Sequence, residues 1–587
     1  MDRGAEPLTG GRPAAAPLLI ADVLDRLPAR LRRRLEERRD LAEAWTWRLV
    51  AGELVVTTGT ATVRVRPASG TVHAIAQADC DCLLAPRCLH VAAVLLVLPL
   101  AVDEAGPDAP PAQEPGDELV PVSEGARRAA EAAWHACAML LDIGASSAGL
   151  VVQGELLRAA HACRLAGLHR TAAALTRAVQ RLTELHAGRP EYRLDFLLGD
   201  VSDALTSALA VATAQEAVPR SAVGVARRAY GSVGSLRLAG AFSEAVMSAA
   251  GFAGVVTYLV DAGGRLWTVA DVAPGGPERV AWAYGAPVEV GDLAVAQRGL
   301  GRSNVYLQRA TGSLDGRLGT GQGVGAVRAG ATTWEGEPLA GLWERPAAAQ
   351  LDAAFQALAL DQTLRRAGWD LLFLDGVVLG VRQAALVLKT PAGEVSCYAP
   401  SDHEELPYRR NLRVLGAAPG LPLRVVGRAL TQRARSLALL AVGPRAGETD
   451  AEAPALALPA DWLGRANLGV DVLQSAHVAR AQRAPVELPS LAVVAAPDPL
   501  DPLARRLGQA LTGGRVTQAE SAWADIDRDA ALLRRRHLPG AAARLEALRA
   551  ASLRGVPDAR RRFALAWTAA RAYHVAARNR LSRTGWS

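Results

Sequence analysis

Apolar positions along this chain follow several different rhythms. Around residues 21–47 they recur at helical steps inside an Arg- and Glu-rich stretch, which predicts a helix over Ala21–Trp47. The rhythm then changes to alternation. Thr60-Ala61-Thr62-Val63-Arg64-Val65-Arg66, a turn over Pro67–Gly70, and Thr71-Val72-His73-Ala74-Ile75 predict a β-hairpin. The apolar run after His90 predicts a short helix. From Glu124 to about Ala214 apolar residues return at steps of three and four, with Gly167 placed to end one helix and open a helical hairpin. No repeat of fixed period is present. Alternation dominates again from Tyr230 to about Trp343, including two strands around Ala262-Gly263-Gly264, and the Gly-rich run Gly316–Gly330 reads as loops between strands. A helical piece over Ala347–Ala367 leads into roughly five strand-like runs between Asp370 and Val442, a count that suits a small OB-like barrel. Most of the remainder reads as helix.

Pro- and acid-rich stretches at 103–123 and 444–459 read as linkers. The chain thus divides into a disordered start (1–17), a small N-terminal module (18–102), an α-helical domain (124–229), a strand-rich domain (230–345), a short helix with a barrel-like domain (346–443) and a basic helical region (460–587). The expected fold class is multidomain α+β. The 587 residues are enough for several domains at the usual ~100–200 residues each.

Composition changes this picture little. Half the residues are hydrophobic and 21% are charged, an ordinary globular balance. Nearly all basic residues are Arg, with Lys389 the single lysine, so Arg abundance by itself carries little information. Its distribution carries more. Thirteen arginines lie between Arg534 and Arg583 against only Glu546 and Asp558, a local charge of +11 in a chain of net +7. Such a tail can attract phosphate backbones, or form the solvated face of amphipathic helices. The longest apolar run, Val91–Val102, is far short of the ~20 residues a membrane-spanning helix needs, and the opening is polar and Pro/Gly-rich. A cytoplasmic protein without a membrane partner is expected.

The six cysteines lie at 80, 82, 88, 137, 163 and 397, three of them within nine residues. In a cytoplasmic chain this clustering favours metal over disulfides. The row Cys80-Asp81-Cys82, five residues, then Cys88-Leu89-His90 offers three thiolates and one imidazole. That donor set matches the closed tetrahedral sites of structural Zn²⁺. Pro86 suits a tight returning loop. With neutral His90 the zinc-loaded site carries a charge of about −1, which Arg87 could offset. With four protein ligands no position is left for a water, so Asp79 and Asp81 have nothing to activate and are expected to face solvent. His73 is a surface or core residue.

This spacing, with strands before the first pair and an apolar helix after the second, resembles the SWIM zinc finger over about residues 50–100. The resemblance implies a structural zinc, standing in for the core that so small a module cannot build, and contact with DNA or another protein. Other signals carry less. His135/Cys137 and His161/Cys163 are spaced two apart, about 200° around a helix, so neither pair easily shares a metal. Ser401–Glu405 is a charged turn lacking metalloprotease spacing. Lys389 follows Leu388, so no phosphate-binding loop exists and no nucleotide triphosphate is expected as a ligand. No nucleophile elbow appears. A non-enzymatic zinc-binding protein acting through DNA or protein interaction is the expected function. The alternatives are a pure protein adaptor for a separately encoded ATPase, and an enzyme whose site lies unread in 230–442.

Overall fold

The computed structural model describes residues 12–99, 118–445, 453–489 and 498–586, apart from short segments inside these ranges. It mixes helix and strand in several sheets, as an α+β chain should.

The N-terminal module begins earlier than expected. Ala14–Ala15 (β1) pairs in parallel with Thr71–Val72 (β5), so this part of the predicted disordered start is bound; residues 1–11 and 16–18 lie outside the described residues. Thr46–Val50 (β2), Glu53–Thr57 (β3), Thr62–Val65 (β4) and Ala78–Cys80 (β6) form one antiparallel sheet in the order β2-β3-β4-β6. Two expectations are corrected here. The helix predicted over Ala21–Trp47 does not reach Trp47, which lies in β2 opposite Val56; many residues of 21–40 lie outside the described set. And β4 pairs with β3 and β6, not with Thr71–Ile75. Alternation marks a strand but does not choose its neighbour. The observed pairing buries Val63 and Val65 beside Cys80 and Ala78.

Leu89–Val97 (α1) packs on this sheet through Val91–Leu95, and Leu19, Val23, Leu27 and Leu35 complete a buried core with Leu54, Val56 and Val72. The module therefore has a hydrophobic core of its own. Zinc does not substitute for it, contrary to the expectation from size.

The end of the first predicted linker is ordered. Leu119–Pro121 (β7) pairs with Ala217–Pro219 (β8), while residues 100–117 lie outside the described set. Between them run Glu124–Ile143 (α2), Leu150–Leu165 (α3), His169–His186 (α4) and Leu194–Thr213 (α5). Ser123 caps α2 by accepting the Ala126 N–H at 3.1 Å. Gly167 sits at φ 79° in the turn joining α3 and α4, as the sequence suggests.

The strand-rich part holds two large sheets, besides a two-stranded one formed by Pro287–Val290 and Leu293–Ala296. Gly231–Met247 (β9), Phe252–Asp261 (β10), Leu266–Pro274 (β11), Ser303–Gly312 (β12) and Gly325–Ala331 (β13) form an antiparallel sheet in the order β11-β10-β9-β12-β13. Pro277–Gly285 (α6) follows β11. Ala347–Ala359 (α7) is shorter than the predicted Ala347–Ala367. Leu371–Arg382 (β14), Ala385–Thr390 (β15), Gly393–Tyr398 (β16), Pro422–Ala429 (β17) and Ser436–Pro444 (β18) pair in a ring. β14 joins β15 and β17, β15 joins β16, β17 joins β18, and a parallel pairing of β16 with β18 closes it. Tyr408–Gly416 (α8) lies between β16 and β17 in sequence. Ala466–Asn467 (β19) adds to β18, so the start of the region read as helical belongs to this sheet.

The C-terminal helices, Asp501–Gly513 (α9), Trp523–Arg535 (α10), Pro539–Ser552 (α11) and Ala559–Thr584 (α12), do not form a separate end. Leu503, Leu507, Leu545, Phe563 and Trp567 share one buried core with Leu140, Leu156, Leu175, Leu197 and Leu205 of α2–α5. The helical body is thus built from both sides of the strand-rich part. Its two halves meet closely at glycines. A Cβ on Gly144, at φ 90°, would lie 2.4 Å from the backbone of Gly513, and one on Gly514 would lie 2.5 Å from Ile143. Asp142 and Arg515 pair at 2.6 Å beside this contact. Replacing Gly144 with Ala combines a left-handed backbone with overpacking and should cost about 2–4 kcal/mol, read as a lower denaturation midpoint of the helical body.

His574 on α12 is buried, and Arg571 donates to its Nδ1 at 3.1 Å, which requires a neutral ring. Burial, then the nearby Arg571 and Arg578, push its pKa from 6.5 down to about 4. The unfolded chain therefore takes up this proton first. Stability should fall by about 3 kcal/mol as pH drops from ~6.5 to ~4, with no change from this group above ~6.5. A pH series of thermal unfolding checks this, and His574→Gln should remove that part of the acid sensitivity.

Candidate metal centre and the basic helices

Three local structures bring the four predicted ligands together. Cys80 ends β6, opposite Val63 in β4, on the buried face of the sheet. Cys82 follows in the turn. Cys88 is the N-cap of α1, its Sγ accepting the Val91 N–H at 3.4 Å, and His90 is the second residue of that helix. One ligand atom from each of Cys80, Cys82, Cys88 and His90 lies within 4.8 Å of all the others. Cys80 Sγ and His90 Nδ1 are 3.8 Å apart. A tetrahedron with bonds of about 2.3 Å to sulfur and about 2.0 Å to nitrogen has edges of ~3.5–3.8 Å, so the cluster is of the size a zinc ion needs.

The electrostatics fit the same occupant. Burial pushes the Cys80 thiol up to about 12 and raises Cys88 as well. Burial also acts on Cys82, but the backbone N–H groups of Leu84 and Ala85, with the neighbouring thiols, outweigh it and lower that pKa. Converging thiols that are costly to ionise alone are stabilised as thiolates by a divalent cation. Trp45 packs its ring 5.9 Å from the His90 ring and limits its orientation. Neither Trp45 nor the two N–H groups aimed at Cys82 was singled out from sequence, since backbone direction and tertiary neighbours leave no spacing signal.

None of the other sequence candidates adds a ligand atom to this cluster. Asp79 and Asp81 are exposed, as expected; Asp81 accepts the Thr62 N–H at 2.7 Å. Arg87 is exposed and makes no hydrogen bond or ion pair among the described residues, so it does not clamp the ligands. His73 is exposed. Cys137 and Cys163 are buried while His135 and His161 face solvent, so each H-x-C pair is split across its helix. Ser401–Glu405 is a largely exposed turn.

The basic tail looks different once folded. Carboxylates outside the 534–583 window come to meet it: Arg549 pairs with Asp527, Arg560 with Asp142, Arg578 with Asp498 and Arg583 with Asp352. Arg534 pairs with Glu546 and Arg561 approaches Asp558. Arg571 is largely buried against His574. Arg535, Arg544, Arg562 and Arg580 are exposed with no carboxylate contact among the described residues. A charge summed along sequence missed partners supplied by distant segments.

In the strand-rich part, Glu244 and Asp370 converge on Arg428, and Asp471 pairs with Arg302 at 2.7 Å. Two cavities of about 840 and 620 Å³ flank α8 and share Arg409 and Arg413. Ser, Cys, His and Lys are absent from the described lining of both.

Comparison with known protein families, curated proteins and solved structures finds no match to this chain. What the site supports directly is a Cys₃His cluster able to hold a metal ion, and its donors are compatible with zinc. Purified protein should carry one zinc per chain by elemental analysis, and Cys82→Ala should lose it. Chelation should also make the Arg87–Cys88 bond sensitive to trypsin while leaving most of the module's core folded. Resistance of that bond to trypsin after complete metal removal would contradict this picture.

Proposed function

We propose that this chain is a cytoplasmic SWIM-type zinc-finger protein, without catalytic chemistry of its own, whose finger docks on a protein partner. The SWIM reading is supported by the order Cys-x-Cys then Cys-x-His, with strands ahead of the first pair and α1 starting at the second. The observation that carries the docking reading is the tip of the metal loop. Leu83 is fully exposed and Leu84 is 61% exposed, between ligands that fix the loop at both ends. A loop held this way cannot fold back to cover them. Burying two leucines is worth about 3–6 kcal/mol before ordering costs.

Charge favours a protein over DNA at this tip. Asp79 and Asp81 flank it, Arg87 is the one cation between residues 79 and 90, and a zinc-loaded centre adds a negative charge. Such a tip repels a phosphate backbone and fits an apolar pocket rimmed by basic side chains. The alternative, a pure adaptor for a separately encoded ATPase, would use the same tip.

A second reading, nucleic-acid contact, rests on Arg535, Arg544, Arg562 and Arg580. The strand ring is OB-like in our reading. Numbered from β14, its pairing runs 1-2-3-5-4-1 with a helix between the third and fourth strands, an architecture used for ligand binding on many folds.

The test is affinity capture scored for both protein and nucleic acid. A Leu83→Asp/Leu84→Asp variant should keep its zinc and lose a bound protein partner by at least ~10-fold, as about 1.4 kcal/mol of lost contact gives. Unchanged protein capture by this variant would refute docking through the tip. Loss of nucleic acid on replacing the four exposed arginines with Gln would establish the second reading instead.

A further inference from the structure

The helical body exposes an apolar row that the finger reading does not use. On α3 (Leu150–Leu165) the face formed by Val152, Leu156, Ala159, Ala160 and Cys163 is buried in the shared core. The opposite face carries Leu150, Gly154, Leu157, His161 and Leu165, at steps of four, three, four and four. Those steps place them in one line along the helix. Leu150 is 86% exposed, Leu157 49% and Leu165 77%, with Val151 beside them at 77%. Single exposed apolar residues are ordinary, but a row along a whole helix marks an interface.

We infer that this row is a self-association surface, on which α3 of a second copy of the chain packs antiparallel. The outer positions of the row, 150 with 165 and 154 with 161, are symmetric about the point between Leu157 and Arg158. Laid against its own reverse, Leu150 meets Leu165 of the second copy, Gly154 meets His161, and each Leu157 lies beside the two-fold axis, level with Arg158 of the other copy. Large faces small at the off-centre position: a Cβ on Gly154 would touch nothing within 4 Å, so the hollow above it is open to an imidazole. Charge agrees. Glu155 and Arg158 pair at 3.0 Å along one flank, and a two-fold axis places two glutamates and two arginines together there as a neutral group. Such an isologous contact closes on itself and makes a dimer, not a fibre. One helix pair is a small interface, so the association is weak and concentration-dependent.

The full-length zinc-loaded protein, followed by sedimentation velocity into the high micromolar range, should shift from monomer to dimer, and Leu157→Arg should hold it monomeric with an unchanged circular dichroism spectrum. Disulfide trapping tests the register. Leu157→Cys should form a disulfide-linked dimer under mild oxidation, whereas Leu150→Cys, placed opposite Leu165, should not. Leu165→Arg serves as a second disrupting variant if Leu157→Arg fails to fold. A wild-type chain that stays monomeric at all concentrations, a dimer insensitive to both arginine variants, equal trapping at 150 and 157, or this face occupied by a different protein while the chain itself stays monomeric would each overturn the inference.

Discussion

The metal cluster depends on the pairing of Thr62–Val65 with Ala78–Cys80. The register places Cys80 opposite Val63 on the buried face, and the strand then releases the chain so that Cys82 turns back over the sheet end. The loop returns at Cys88, which caps α1, and two residues on, inside the helix, stands His90. Shifting that register by one residue would send Cys80 to solvent and scatter the donors, because a strand's side chains alternate between faces. The cluster is thus a consequence of strand pairing and helix capping.

The module's core and its metal cluster have separate tasks. Leu54, Val56, Val63, Val91 and Val94 hold sheet and helix together, with Leu19, Val23, Leu27 and Leu35 covering them. A metal at the cluster would fix both ends of the five-residue loop, which touches the core through Ala85. Rigidity at that loop matters because its tip carries Leu83 and Leu84 out to solvent. A flexible loop would pay ordering entropy on docking; a pinned one has already lost that freedom.

Much of the site was legible in sequence because its signal is local. Four ligand residues of two rare types, three Cys and one His, within eleven positions define the donor set with no knowledge of the fold. Periodicity also located α2–α5, the strands on either side of Gly263 and the five strands of the ring. The misses share one physical cause, which is that partners in space are distant in sequence. Alternation at 60–66 identified a strand but not its pairing with β3 and β6. The arginines of 534–583 read as a free basic tail because Asp142, Asp352 and Asp498 lie far away along the chain. Trp567 and Phe563 gave no sign that they would share a core with Leu140 and Leu197. Lengths of apolar runs carry no address for the element they pack on.

X-ray absorption at the zinc edge on the purified protein reads the ligand set of the metal itself. Cys80, Cys82, Cys88 and His90 acting as a closed set predicts three sulfur neighbours at about 2.3 Å and one nitrogen at about 2.0 Å, with no solvent oxygen. Fewer than three sulfurs, or an oxygen ligand in place of one of the four, would rule out a closed Cys₃His site.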